Sequence, residues 1–229
     1  MPLRAVVFDF DGVIADTEPL HLKAAQRVLA GAGMRLDATA YYERYLGFDD
    51  AGLFRALATD IGVDLDAKSV AALVEDKSRV LESLIDDGSV LFAGIRECID
   101  RCAAHVPLAI ASGALAHEVD YILRRTGLRQ VFQAVVGAGD TPRSKPEPDP
   151  YARAVELLRV GSLHDLEPAQ CVAIEDSPWG LQSARAAGLR CVAVAHTYAA
   201  AKLREEADAD FVAESLGDIT IDRLQQLCT

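Results

Sequence analysis

The sequence predicts an α/β protein: a doubly wound parallel sheet interrupted early by an all-helical insert. Three observations carry this expectation. Short apolar runs alternate with helical patterns over most of the 229 residues. The runs are continuous rather than alternating with polar residues, as expected of strands covered on both faces. The rhythm then fails between the first run and Gly94. About eighty residues there show helical periodicity without a convincing strand, more than a right-handed βαβ crossover requires.

The elements follow in order. Ala5–Phe8 is the first strand. Thr17 is the expected N-cap of the next helix, with Pro19 in its first turn. Further helices are expected at Thr39–Tyr45, Ala51–Ile61 and Ala67–Ile85, separated by glycine-bearing turns. The later strands are expected at Leu108–Ala111, Ala134–Val136, Val172–Ile174, Val192–Ala195 and Phe211–Val212. Helices at Ala114–Thr126, Asp149–Val160 and Pro178–Ala187 lie between them, the pattern of a parallel sheet wound on both sides. The expected organisation is a Rossmann-like core of residues 1–16 and 88–229 and a helical domain of residues 17–87. Hinges fall near Ala15–Thr17 and Asp87–Ala93.

Composition narrows the function. Hydrophobic residues make up 51% and charged residues 25%, enough apolar material for a core and against disorder. The net charge of −12 argues against a nucleic-acid partner, which would call for a basic face. An acidic protein that handles an anion needs local positive charge or a metal. No signal peptide precedes the first strand, and no apolar run is long enough for a bilayer. Five cysteines without close pairing suit reduced thiols in a cytoplasm. Cys98, Cys102 and His105 share a helical face, yet Ile95, Ile99 and Cys102 form a core stripe there. A closed zinc site would also need a fourth ligand nearby.

In an open α/β sheet, ligands bind beyond the carboxyl ends of the strands, so the residues just after each strand carry the most information. The first strand ends in Asp9-Phe10-Asp11-Gly12, the second in Ser112-Gly113 and the fourth in Glu175-Asp176. Lys145 follows the third, within "SKPEPDP". Each has a structural alternative: a turn at Asp11-Gly12, a helix cap at Ser112, a solvated loop lysine. Ser177-Pro178 reads as an N-cap followed by a first-turn proline, with Glu175 and Asp176 as dipole-favoured acids. Their joint placement at strand ends favours one crevice. An EF-hand reading of Asp9-x-Asp11-Gly12 fails, because Val13 stands where a third oxygen ligand is needed and the glycine comes too early. Gly31-Ala-Gly33 and Gly137-Ala-Gly139 lack the third glycine of a dinucleotide fingerprint.

Carboxylates this close repel unless a cation sits among them. An all-oxygen set suits Mg²⁺, which also binds substrate phosphate. One carboxylate can then attack phosphorus, and the other can protonate the leaving oxygen and deprotonate water. A lysine and a hydroxyl would complete the cradle around the phosphoryl oxygens.

Asp9-Phe10-Asp11-Gly12-Val13, Ser112, Lys145-Pro146 and Glu175-Asp176, in this order, resemble the four motifs of the haloacid dehalogenase superfamily. The resemblance covers nearly the whole chain. Gly12–His21, "GVIADTEPLH", is similar to the β-phosphoglucomutase-like branch, whose members carry a helical cap after the first strand. The resemblance implies that Asp9 is the nucleophile and Asp11 the general acid/base. It implies Mg²⁺ held by the Asp9 carboxylate, the Asp11 carbonyl and Asp176, with Glu175 supporting. It implies that Ser112, the Gly113 amide and Lys145 hold the phosphoryl group. Thr17 and His21 would lie by the hinge, and Lys77 in the cap would match a substrate-contacting lysine. Tyr41, Arg44, Phe48 and Arg79 are further candidates for the cap face.

Two departures stand out. Mutases of this branch clamp the second phosphate with an arginine in a cap loop that here reads Gly47-Phe48-Asp49-Asp50-Ala51-Gly52, with Asp50 about where the arginine would be. Gly113 follows Ser112 where branch members often differ. The expected activity is therefore a Mg²⁺-dependent phosphatase acting on a small phosphorylated metabolite, as a monomer or weak homodimer. A sugar phosphomutase and a non-catalytic metabolite-binding module are the alternatives. A module would not need an acid at Asp11, nor would a true dehalogenase.

Overall fold

The computed structural model describes residues 2–46, 48–85, 90–161 and 163–229. The chain divides into two compact units, Met1–Asp16 with Leu91–Thr229 and Thr17–Val90. The expected boundary between residues 87 and 88, part of the expected second hinge, and Gly47 lie outside the described residues.

The first unit is built on a six-stranded parallel sheet: β1 (Ala5–Phe8), β2 (Leu108–Leu115), β3 (Phe132–Ala138), β4 (Cys171–Glu175), β5 (Arg190–Val194) and β6 (Phe211–Ala213). The spatial order is β3-β2-β1-β4-β5-β6. One face, carrying Ala5, Val7, Ala109, Ala173 and Ala193, packs on α7 (Asp149–Gly161), α8 (Pro178–Ala186) and α9 (Ala200–Glu206) through Tyr151, Leu158, Leu181 and Leu203. Small alanines on this face let the helices approach closely. The alternate residues Val6, Phe8, Ile110, Val172 and Ile174 are also buried, so both faces are covered and no polar alternation appears. The unit also contains α5 (Ile95–Ala103), α6 (Ala116–Arg125) and α10 (Ile221–Leu227).

Strand bounds differ from expectation most at β2. Its pairing with β3 resumes at Leu115↔Ala138 after a register shift between Ala111 and Leu115. Ser112 and Gly113 therefore lie inside an irregular strand end rather than beyond it. Such a bulge re-aims backbone and side chains at a strand's rim. Ser112 does not cap α6: its Oγ accepts from the Ala114 amide at 2.9 Å, and the cap position belongs to Leu115. Cys98 and Cys102 are fully buried on α5, whereas His105 lies beyond the helix end with Nδ1 3.0 Å from the Arg101 carbonyl. The stripe is core.

The second unit comprises α1 (Glu18–Gly31), α2 (Ala38–Ala40) continuing into a π-helical turn (Tyr41–Tyr45), α3 (Asp50–Asp60) and α4 (Ala67–Ile85). It has its own core, with Leu29, Tyr41, Phe54 and Leu57. Asp37 and Asp49 accept amide hydrogens at the starts of α2 and α3, as N-caps do. Thr17 precedes α1 but does not cap it through its side chain. Its backbone is already helical (φ −90°, ψ −18°), whereas a capping side chain needs an extended residue to reach the free amides. Among the described residues, no helix is long and apolar enough to cross a membrane.

Candidate active site

β1 lies at the sheet's centre, flanked by β2 and β4, where the strand order reverses. In an open α/β sheet this switch point, beyond the carboxyl ends, is where ligands bind. Asp9 is the first residue after β1, and its amide donates to the Ile174 carbonyl at 2.9 Å, continuing the β1–β4 ladder. The chain then turns at once. The Phe10 carbonyl accepts from Ile14 at 2.8 Å and Ala15 at 3.0 Å, and Gly12 donates back to Ala15 at 3.0 Å. Gly12 takes φ +78°, and a Cβ there would sit 1.9 Å from Asp176 Oδ2. Only glycine permits both the left-handed backbone and this approach. The turn after β1 is thus pressed against the acid after β4.

Lys145 Nζ lies 2.7 Å from Asp9 Oδ1 and 2.6 Å from Glu175 Oε1. The Tyr151 hydroxyl donates to the same Glu175 oxygen at 3.0 Å. Glu175 Oε2 accepts from the Asp176 amide at 3.0 Å and from the Ser177 amide and hydroxyl at 3.1 Å. Ser177 Oγ in turn caps α8 by accepting from Gly180 at 3.1 Å. A Cβ on Gly180 would come within 1.7 Å of Glu175 Oε1, so glycine lets the helix start close over the buried acid. Both Glu175 oxygens are saturated by protein donors.

The charges do not balance. Asp9, Glu175 and Asp176 are buried, and they form the one group of three or more potential metal ligands among the described residues, with ligand atoms within 4.8 Å of one another. Burial pushes the Asp9 carboxyl well above its usual range, and the Glu175 charge adds to this against the pull of Lys145. Burial and Glu175 likewise push Asp176 up to about 7. Burial also opposes ionisation of Glu175, but Lys145 and the donors around it hold its carboxyl below its ordinary value. Burial works against the Lys145 ammonium, yet Asp9 and Glu175 outweigh it and raise the pKa. One ammonium among these carboxylates leaves negative charge uncompensated, and the donor set is all oxygen. The residues fit a hard divalent cation.

The sequence profile of the haloacid dehalogenase-like hydrolases matches residues 6–194. The chain belongs to this family. The haloacid dehalogenase-like assignment agrees with named relatives. The fructose-1-phosphate phosphatase YqaB of Escherichia coli (strain K12) is 31% identical over 189 residues, 82% of this chain and 95% of that protein. Hexitol phosphatase B of the same organism is 30% identical over 200 residues, covering 84% and 83%. Among solved structures, CbbY from Rhodobacter sphaeroides in complex with phosphate superposes with a TM-score of 0.82 at 27% identity, covering 94% of this chain and 96% of that one. The family is one of hydrolases, and its phosphatase members here are consistent with a phosphoric monoester hydrolase.

Within this haloacid dehalogenase-like chain, the structure brings Asp9, Lys145, Glu175 and Asp176 together. Asp11 lies on the turn, bridged to Ala15, and its charge acts on Asp176. Ser112 is buried at the end of β2, beside β1. His21 and Lys77 meet in the helical unit. Lys77 Nζ is 2.6 Å from His21 Nδ1 and pairs with Asp50. Lys77 is 1% exposed, so this buried ammonium ties α1, α3 and α4 together. Sequence reasoning missed Tyr151 and Thr197. Thr197 hydrogen-bonds Asp176 and follows closely on the carboxyl end of β5, so the strand-end rule applied to β5 would have found it.

Proposed function

We propose that this protein is a Mg²⁺-dependent phosphatase that hydrolyses a small sugar or polyol monophosphate through a phosphoaspartate at Asp9. The observation that carries this reading is the Lys145 ammonium held between Asp9 and Glu175 at the sheet's switch point, with Asp176 alongside. The names of the relatives, for fructose 1-phosphate and hexitol, support the substrate class.

An Asp9 carboxylate oxygen attacks phosphorus; the P–O bond to the leaving alkoxide breaks, and Asp11 gives that oxygen its proton. Water then attacks the phosphoaspartate while Asp11 takes its proton, and the bond to Asp9 breaks to release phosphate. Lys145 binds a phosphoryl oxygen and keeps Asp9 oriented, with Ser112 and the Gly113 amide as further donors. Asp9, Asp176 and the Asp11 carbonyl would hold the metal, which supplies charge compensation for an anionic nucleophile meeting an anionic ester. Glu175 positions Lys145 and supports the metal site; its own oxygens are already taken. Asp50 supports hydrolysis over isomerisation. Paired with Lys77, it brings no arginine-like clamp for a second phosphate.

The test is phosphate release from a panel including fructose 1-phosphate and hexitol phosphates, with and without Mg²⁺. Metal-dependent release by the wild type and none by a folded Asp9→Asn variant is expected. Equal release by both proteins would overturn the assignment.

A further inference from the structure

The turn that carries Asp11 is held from a direction the reaction scheme does not use. His196, in the loop after β5, places Nδ1 2.9 Å from the carbonyl oxygen of Gly12, the residue next to Asp11. A carbonyl only accepts, so Nδ1 carries the hydrogen and donates it. The same ring stacks on Phe92, with centroids 4.1 Å apart and planes inclined by 16°. Phe92 is joined to the other end of the turn: its amide donates to the Ile14 carbonyl at 3.1 Å, and neighbouring Leu91 bridges Ala15. One imidazole therefore braces the turn at Gly12 directly and at Ile14–Ala15 through Phe92.

The brace sits where it matters. Gly12 is already forced against Asp176, and a Cβ there would also meet Thr197 Oγ1 at 2.9 Å. The peptide plane before Gly12 is tied through its amide to Ala15 at 3.0 Å, whereas the plane after it has, apart from His196, only a long 3.4 Å bond from the Val13 amide to Phe10, and Gly12 has no side chain to limit its rotation. The Gly12 carbonyl is the group whose tilt would signal that rotation, and it is the one His196 holds. A displacement of the turn moves Asp11 with it.

We propose that His196 is a positioning residue for Asp11, fixing the acid/base turn by donating to the Gly12 carbonyl while its ring lies on Phe92. This rests on the reading of Asp11 as the proton donor to the leaving group. The chemistry then supplies a signature that general damage would not. In kcat/KM, which reports only the steps up to release of the leaving group and not the later hydrolysis in which Asp11 is the base, loss of a well-placed acid slows esters whose leaving alkoxide must be protonated and spares esters such as p-nitrophenyl phosphate whose leaving group needs little help.

The experiment compares kcat/KM for p-nitrophenyl phosphate and for the best alkyl phosphate of the panel in wild type, Asp11→Asn, His196→Phe and His196→Asn. Phenylalanine keeps a ring for Phe92 but removes the donor; asparagine restores an N–H donor near the Nδ1 position. His196→Phe is expected to lose about 10²-fold on the alkyl ester, the cost of misplacing a reacting group by about 1 Å, and only a few-fold on the nitrophenyl ester. His196→Asn is expected to recover most of the alkyl activity, with melting temperatures of the two variants alike. Equal losses on both esters, wild-type alkyl activity in His196→Phe, or no recovery in His196→Asn would overturn the proposal. If Asp11→Asn itself shows no preference between the esters, the acid role of Asp11 falls and the proposal with it. If Asp11→Asn shows the preference and His196→Phe does not, the proposal alone falls. Should His196→Phe fail to fold, His196→Leu takes its place under the same criteria.

Discussion

The helical unit should lose stability in mild acid through His21. Its imidazole has a pKa lowered from 6.5 to about 3, because burial penalises the charged ring and the Lys77 ammonium repels it. Lys77 has only hydrogens to offer, so the His21 Nδ1 at 2.6 Å accepts, and the ring is neutral with its proton on Nε2. Protonating Nδ1 would set two cations in contact, with Asp50 already committed to Lys77. Between the folded value and the unfolded 6.5, the unfolded chain binds a proton that the folded unit refuses. Stability from this group is therefore complete above the unfolded value and declines as pH falls below it. At about pH 5, some 1.5 units below 6.5, the loss is at most about 2 kcal/mol at 1.36 kcal/mol per unit. Urea unfolding followed by circular dichroism, at neutral pH and at about pH 5, measures it against His21→Asn. That variant offers Lys77 an acceptor that does not titrate. The wild type should lose about 2 kcal/mol more than the variant over this interval. Parallel losses, or a His21 NMR titration centred near its ordinary value in the folded protein, would refute the reasoning.

Asp9→Asn should abolish turnover with an unchanged fold, and Asp11→Asn should slow it by about 10²–10⁴-fold, both read as phosphate release by protein of normal circular dichroism. Phosphate found by mass spectrometry on a residue other than Asp9 would overturn the assignment of the nucleophile. EDTA should remove activity and Mg²⁺ restore it, while Ca²⁺ binds and supports turnover poorly because its looser coordination misplaces the reacting atoms; full activity after demetallation would refute the metal's role. With β-glucose 1-phosphate and a catalytic amount of the 1,6-bisphosphate, phosphate release should exceed glucose 6-phosphate formation, or neither should be appreciable; rapid isomerisation would show that another cap residue, with Arg44 and Arg55 as the first candidates, supplies the clamp Asp50 lacks.

The site's charged residues were legible because strand ends are marked locally. An apolar run stops, and the next residues are an acid, a serine or a glycine. That logic found Asp9 after β1 and Glu175 at the last position of β4. It misjudged β2, whose strand continues through a register shift that only its partner β3 imposes. Tyr151 reads from sequence as one apolar residue of α7, yet its hydroxyl finishes the Glu175 network from another element. The burial of Lys77 did leave a trace: it stands in line with Val70, Leu73, Leu81 and Leu84, a cation within the apolar stripe of α4. A charge there demands buried partners, and the sequence does not say which. His21 and Asp50 come from two other helices.

Glu175 shows how fold and chemistry are joined in this molecule. Were Lys145 to face Asp9 alone, one buried ammonium would simply pair with one buried carboxylate. Glu175 lies on the far side at 2.6 Å and shares that ammonium, so Lys145 offsets only part of the negative charge around Asp9, which burial and Glu175 push toward its protonated form. The sharing is tolerable only because Glu175 is itself satisfied by Tyr151, by the amides of Asp176 and Ser177, and by the Ser177 hydroxyl. Of these, Ser177 is the residue that caps α8, and the Asp176 amide belongs to the acid that faces Gly12. Removing the carboxylate would leave these buried donors without an acceptor, each costing about 1–3 kcal/mol, and would leave Lys145 to Asp9. The residue that shares the Lys145 ammonium with Asp9 is thus also the one that anchors the start of a helix. For that reason Glu175 is buried completely, with every donor around it drawn from the protein.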